Sequence, residues 1–337
     1  MTSIIRKKRV GAVDSSGVSP QALSTTSIKG VLAAALLPLA LSGCEAPLNL
    51  EGVDKELAKS VRRTDQFQAI AANDSTLLAV GSDGIIVSSP RDNVSWTRQL
   101  IESKPSFVDL EACPDQTFAA LGMDGQVWFA DASGSNWQPS PIGTQESVLA
   151  LACGPDNSVW VTASFSTLIH SKDKGQSWSE MSLEEDSQLT DIKFIDANTL
   201  VAAGEFGLVV KSTDGGASWS APEFMPNDFY PQGIHFTSAQ EGWAAGLSGQ
   251  ILHTTDGGVS WQQQTTPTES PLYSFHALGE RLFVTGDHGN LLELNNGSWQ
   301  RVESPKIPVY LRDAEALNEK QLLVAGGWGS LFAVDVK

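Results

Sequence analysis

The sequence predicts an all-β fold: a seven-bladed β-propeller of four-stranded antiparallel blades. Three observations predict it. A short glycine-bearing segment recurs seven times, as LLAVGSDG (77–84), FAALGMDG (118–125), VWVTASFS (159–166), LVAAGEFG (200–207), GWAAGLSG (242–249), LFVTGDHG (282–289) and LLVAGGWG (322–329). Its first glycine, or the residue in its place, is Gly81, Gly122, Ala163, Gly204, Gly246, Gly286 and Gly326, so successive copies lie 40 to 42 residues apart. Short apolar strands punctuated by turns at a period near forty are the mark of propeller blades. A tryptophan keeps the same beat at Trp96, Trp137, Trp178, Trp219, Trp261 and Trp299. Finally, SKDKGQSW (171–178), STDGGASW (212–219) and TTDGGVSW (254–261) repeat one tight turn, in which an aspartate can accept backbone hydrogen bonds and a glycine can take positive φ.

Residues 1–43 have a different character. Arg6, Lys7, Lys8, Arg9 and Lys29 precede the apolar run Gly30–Gly43, which is too short for a comfortable membrane span and reads as a signal peptide. Leu41, Ser42, Gly43 and Cys44 resemble the lipobox of bacterial lipoproteins, which implies acylation of Cys44 and attachment to a membrane through the acyl chains. Glu45 is not the aspartate that marks inner-membrane retention in such proteins, so the resemblance implies an outer-membrane anchor facing the periplasm. Residues 44–56 then read as a polar tether. Without the leader, 17 basic and 38 acidic residues give a formal charge of −21, which disfavours nucleic acid and anionic headgroups as partners. Cys113 and Cys153 should end the innermost strands of neighbouring blades; free buried thiols and a disulfide both remain open.

The ring is expected over 57–337. In the fourth copy the pattern predicts an inner strand at 190–195, a second at 199–204, a third at 207–212 and an outer strand beginning at Ser218 and Trp219. The seventh copy ends after its third strand. Residues 57–62 stand where an outer strand would precede the first inner strand, so they are predicted to complete the last blade and remove its free edge. Their Glu, Leu, Ala and Lys content makes a helix the competing reading.

The box S/T-x-D-x-G-x-x-W is similar to the Asp-box of bacterial neuraminidase repeats. Together with the preceding G-x-x-G-x-I/L it resembles, over all seven copies, the family of photosystem II stability and assembly factors and its relatives in non-photosynthetic bacteria. The resemblance implies that Asp173, Trp178, Asp214, Gly216, Trp219, Asp256, Gly258 and Trp261 are structural. It also implies docking to a membrane protein or an assembly intermediate. Photosynthetic members use an arginine-rich patch for this; the present chain has none, which points to a transporter or another envelope complex.

Catalysis has no positive motif. There is no HExxH, GxSxG or phosphate loop, no F/Y-R-I-P segment, and only three tyrosines. No cofactor or metal is called for, and the chain is not expected to be an enzyme. His170 and His253 take equivalent places on third strands and are expected as strand-face residues, although two carboxylates from different blades could still meet at the axis. Candidate partner-binding residues are Phe165, Glu205, Phe206, His288 and Trp328 in the turns between second and third strands, with Tyr230, Tyr273, Tyr310 and Arg312 at the starts of inner strands. The expected function is a monomeric, lipid-anchored scaffold for an envelope membrane protein. The alternative is a glycan-binding or glycan-cleaving surface lipoprotein.

Overall fold

In a computed structural model the described residues are 50–336. The signal-peptide reading of 1–43, the lipidation of Cys44 and most of the tether lie outside them. The described residues form seven antiparallel sheets, six of four strands and one of three. Inner strands are Phe67–Ala72, Phe107–Ala112, Val148–Cys153, Leu189–Phe194, Pro231–Phe236, Leu272–Leu278 and Leu311–Asn318, numbered here as blades 1 to 7. Within each blade, strands follow one another outward in chain order.

The second strands, such as Leu200–Gly204 and Gly242–Gly246, are buried along their length save for a half-buried first residue, Arg281 and Gln321, in blades 6 and 7, because a blade is covered on both faces by its neighbours. They therefore read as unbroken apolar runs rather than alternating ones. The core is accordingly seven separate layers, one per seam between blades. The periodic tryptophans explain themselves here: Trp137, Trp178, Trp219, Trp261, Trp299 and Trp96 each pack into the seam with the preceding blade. The seam between blades 6 and 7 has no such tryptophan and is filled by Phe283, Leu311, Val324, Val334 and Val336 with Ile307 and Phe332 beside them.

Residues 57–62 do not form the predicted closing strand. Glu51–Leu57 is a helix, and the chain from Ala58 to Asp65 is irregular. Its conformation is held by other bonds. Arg98 of blade 1 makes a two-pronged ion pair with the buried Asp65, at 2.8 and 3.0 Å, and also donates to Ser60 O. Val61 packs against the seam between blades 7 and 1, and Asp65 O accepts from Gly329 N at 2.8 Å. The ring closes through this packing and through Asp313 Oδ2, which accepts from Ile70 N at 2.9 Å. The last blade, Leu311–Asn318, Gln321–Gly326 and Leu331–Asp335, keeps three strands.

The outer strand of blade 4 is also shorter than expected, only Glu223–Phe224. Pro222 has no N–H to give the ladder, so pairing after Trp219 is reduced to Ser220 N donating to Lys211 O at 2.8 Å before the strand resumes. Cys113 and Cys153 are joined in a disulfide, Cα atoms 5.2 Å apart, linking the inner-strand ends of blades 2 and 3. Closing a loop of 40 residues restricts the unfolded chain by about 4 kcal/mol in the loop-entropy picture.

Candidate interaction face and axial channel

The ring has two unlike faces. Turns between first and second strands, and those between third and outer strands, lie on one face, which carries the Asp-boxes. Turns between second and third strands, with the connectors into each next blade, lie on the opposite, open face.

On the Asp-box face the turn acids serve their own turns. Asp214 Oδ1 accepts from Ser212 Oγ at 2.8 Å and Ser218 N at 2.9 Å, Oδ2 accepts from Ser218 Oγ, and Ser212 Oγ in turn accepts from Gly216 N. Asp173 and Asp256 repeat this pattern with Ser171, Ser177, Thr254 and Ser260. Hydrogen bonds from the following serine, then from its backbone, hold all three carboxyls down to about 2. Gly216, at φ +84°, lies so close to Trp160 that a Cβ would stand 2.1 Å from the indole. Gly258, at φ +96°, faces Val209, and its carbonyl accepts from Trp261 Nε1 at 3.0 Å. Trp178 Nε1 donates to Ser140 Oγ. Blade 2 lost the aspartate at the box position, but Asp131, one residue earlier, accepts from Ser133 N and Ser135 N in its place. His170 and His253 stack on Trp160 and Trp243, centroids 4.5 and 4.7 Å apart.

The open face is built differently. In five blades the second-to-third-strand turn has two consecutive left-handed residues ending in glycine: Asp83-Gly84, Phe206-Gly207, Ser248-Gly249, His288-Gly289 and Trp328-Gly329; blade 3 uses Phe165-Ser166. This is the turn that favours Asn or Asp before Gly, since their short side chains tolerate the left-handed region. Here aromatic rings occupy it in blades 3, 4 and 7, and they point outward: Phe165 and Phe206 are 56% exposed and Trp328 63%. Met123 and Leu247, one residue earlier in the turns of blades 2 and 5, are also exposed and complete a broken ring of apolar side chains. Sequence reading named neither. His288 is exposed beside Asp287, with Nδ1 3.1 Å from its carboxylate. Glu205 faces inward instead and caps Gln188 N at 3.0 Å, so it serves the turn.

Inside that ring opens the axial channel, a cavity of about 320 Å³. Inner strands supply it in tiers, because every second side chain points to the axis. At the mouth, Arg312 lies 4.9 Å over the Tyr273 ring and reaches Gln232, while Tyr310 bonds both Gln66 and Gln68 at 3.0 Å. Tyr273, Tyr310 and Arg312 thus come together. Tyr230 is half-buried before Pro231 and forms no part of this cluster.

Below the mouth, Asp109, Asp191 and Asp313 clamp neighbouring blades. Each accepts from a backbone N–H of the next inner strand: Leu151, Ile234 and Ile70, at 2.7, 2.8 and 2.9 Å. The signal for them was present as an aspartate third in FVDL, LTDI and LRDA. Deeper still stand Glu111, Lys193, His235, His276 and Glu315. Lys193 Nζ is 3.3 Å from Asp191 and 3.8 Å from Glu111. Burial pushes the Glu111 carboxyl up to about 8 and that of Glu315 to about 7, with Lys193 pulling Glu111 back and Asp313 raising Glu315 further. Burial also opposes a charged Lys193, but Asp191, Glu111, Asp109 and Asp313 together outweigh it and hold the ammonium above its ordinary value. Burial, then the Lys193 charge, depresses His276 to about 3 and His235 to about 4, so both are neutral near pH 7. Among the described residues no group of three or more His, Cys, Asp or Glu side chains could hold a metal ion.

Together these features describe a seven-bladed propeller with two unlike faces and an acidic, lysine-centred axis ringed on one side by outward aromatics. Residues 176–271 and 221–335 match the family described as photosynthesis system II assembly factor YCF48. Over residues 176–335 the chain is thus similar to the photosystem II assembly factor-like propellers of the BNR-repeat type. Similar solved structures include YCF48 bound to D1 peptide, at 16% identity and TM-score 0.67, covering 81% of this chain and 93% of that one. YCF48 from Cyanidioschyzon merolae matches at 16% identity and TM-score 0.57, covering 68% and 83%. A catalytically inactive virginiamycin B lyase from Staphylococcus aureus, with quinupristin, shares the fold at 13% identity and TM-score 0.72, covering 82% and 96%. No curated protein matches the chain.

Proposed function

We propose that this chain is a non-enzymatic assembly or stability factor of the cell envelope, which binds a membrane protein through its open face. The observation that carries this is the placement of Phe165, Phe206 and Trp328 at left-handed turn positions, where they are exposed and serve no packing. A turn alone is better served by Asn or Asp, and strain kept at exposed aromatic positions is a hallmark of a binding surface. YCF48 has been seen with a D1 peptide, which makes a membrane-protein segment the natural class of ligand for this propeller. Residues 1–43 act as the signal peptide and Cys44 carries the lipid that keeps the factor at the membrane, facing the periplasm from the outer membrane.

The experiment is cross-linking in cells followed by capture of the propeller. The unaltered chain should recover one envelope membrane protein. Phe165→Asn, Phe206→Asn and Trp328→Asn together should abolish that recovery, while circular dichroism still reports an intact ring. Undiminished recovery by the triple variant would move the site off this face. Saturable sugar binding or turnover on a glycan panel would replace the proposal with a glycan-directed one.

A further inference from the structure

We propose that the helix Glu51–Leu57 lies on the bilayer surface when the chain is tethered through Cys44, and thereby turns the open face toward the membrane; this rests on the anchor reading above. Leu50, Val53 and Leu57 are each about half exposed, and no residue of the helix is buried. Spacings of three and four residues put these side chains on one side of the helix, while the ion pair Glu51–Lys55, at 2.7 Å, runs along the other and Glu56–Lys59, also 2.7 Å, sits at its C-terminal end. An apolar stripe backed by paired charges is the pattern of an interfacial helix. Seven residues rise about 10 Å, far less than a membrane requires, so such a helix lies on the surface rather than across it.

Charge and chain length select the bilayer as occupant. Residues 51–63 hold three acidic and four basic side chains, a net positive stretch in a chain of formal charge −17. Exposed Lys55, Lys59 and Arg63 can therefore meet anionic headgroups that the rest of the surface repels. Five residues separate Cys44 from Leu50, so an acylated Cys44 keeps the helix within about 20 Å of the lipid. At that range even a weak stripe engages, because contact is intramolecular. Orientation follows from the next residues: the Arg62 carbonyl lies against Gly329, and Asp65 O accepts from Gly329 N, beside exposed Trp328. The helix thus leaves the ring at the open face.

The test uses residues 44–337, coupled through the Cys44 thiol to a maleimide lipid in phosphatidylethanolamine–phosphatidylglycerol vesicles; Cys113 and Cys153 are engaged in their disulfide. Hydrogen exchange of amides 53–58 should slow at least tenfold relative to the untethered Cys44→Ser protein. Val53→Asp with Leu57→Asp should restore fast exchange while the protein still floats with the vesicles. Equal exchange with and without the tether, or protection that survives the double substitution, overturns the proposal. Protection that appears without lipid as the Cys44→Ser protein is concentrated overturns it too, by assigning the stripe to a second copy. The intact mass of the cell-derived protein tests acylation of Cys44 separately, so loss of the anchor reading and loss of the helix contact are distinct results.

Discussion

The two faces of this ring are made from the same number of blades, yet they use their turn residues in opposite ways. On the Asp-box face, Asp173, Asp214 and Asp256 spend every acceptor on their own serines and backbone, and Gly216 fits a space only a glycine can fill. On the open face, left-handed positions that would suit Asn or Asp hold Phe165, Phe206 and Trp328, which touch little. One set of turns is optimised for the fold. The other holds exposed side chains that the fold itself does not use.

Changes that break the first face should therefore destabilise, and changes to the second should not. The largest effect is expected for Gly216→Val, which forces a β-branched residue to φ +84° and against Trp160; about 4 kcal/mol of stability should be lost, read by urea denaturation. Lys193→Met probes the axis that joins the faces. It leaves the Asp191 carboxylate without its cation, and about 2 kcal/mol should go, less than for a fully buried pair because the channel admits water.

On the alkaline side the pH dependence belongs to the axial carboxyls, and on the acid side to the Asp-box turns together with the axial His235 and His276, whose depressed values of about 4 and 3 cost stability as pH falls below 6.5. Glu111 and Glu315 hold their protons to about 8 and about 7 in the ring, against 4.5 ordinarily, so their contribution is full below about pH 4.5 and drains as pH rises through 7 and 8. The Asp-box carboxyls, lowered from 3.8 to about 2, contribute above pH 3.8 and lose that contribution as pH falls toward 2. Melting temperature should fall on both sides, and Glu111→Gln with Glu315→Gln should flatten the alkaline side only. The smallest effect on stability belongs to Phe206→Asn, expected to be neutral or stabilising by about 0.5 kcal/mol since Asn tolerates the left-handed region. A clear loss of stability there would make Phe206 a structural residue and weaken the contrast between the faces.

How much of this was legible follows from how local each signal is. The period is written in every repeat, the tryptophan in six of them and the full box in three, so the blade count could be read directly. The destination of Ala58–Asp65 could not, because it is decided by Arg98, which reaches from another strand to Asp65 and Ser60. The channel was only half legible. Glu111, Lys193 and Glu315 lie far apart in sequence and meet only because inner strands share one axis, whereas Tyr273, Tyr310 and Arg312 were found by their residue types. Met123 and Leu247 were passed over because their place in the turn, one residue before Asp124 and Ser248, carries no compositional mark.

The seventh blade makes the seams unequal. Six seams are wedged by a tryptophan and one is additionally stapled by Cys113–Cys153, but blade 6 meets blade 7 with neither. Alongside that seam, cavities of about 740 and 640 Å³ follow residues 301–308 and Ala333–Val336. A closed ring under thermal load parts at its softest joint, so this molecule has a preferred place to yield: the first amides to exchange should cluster in blade 7, leaving blades 2 and 3 as the last to let go.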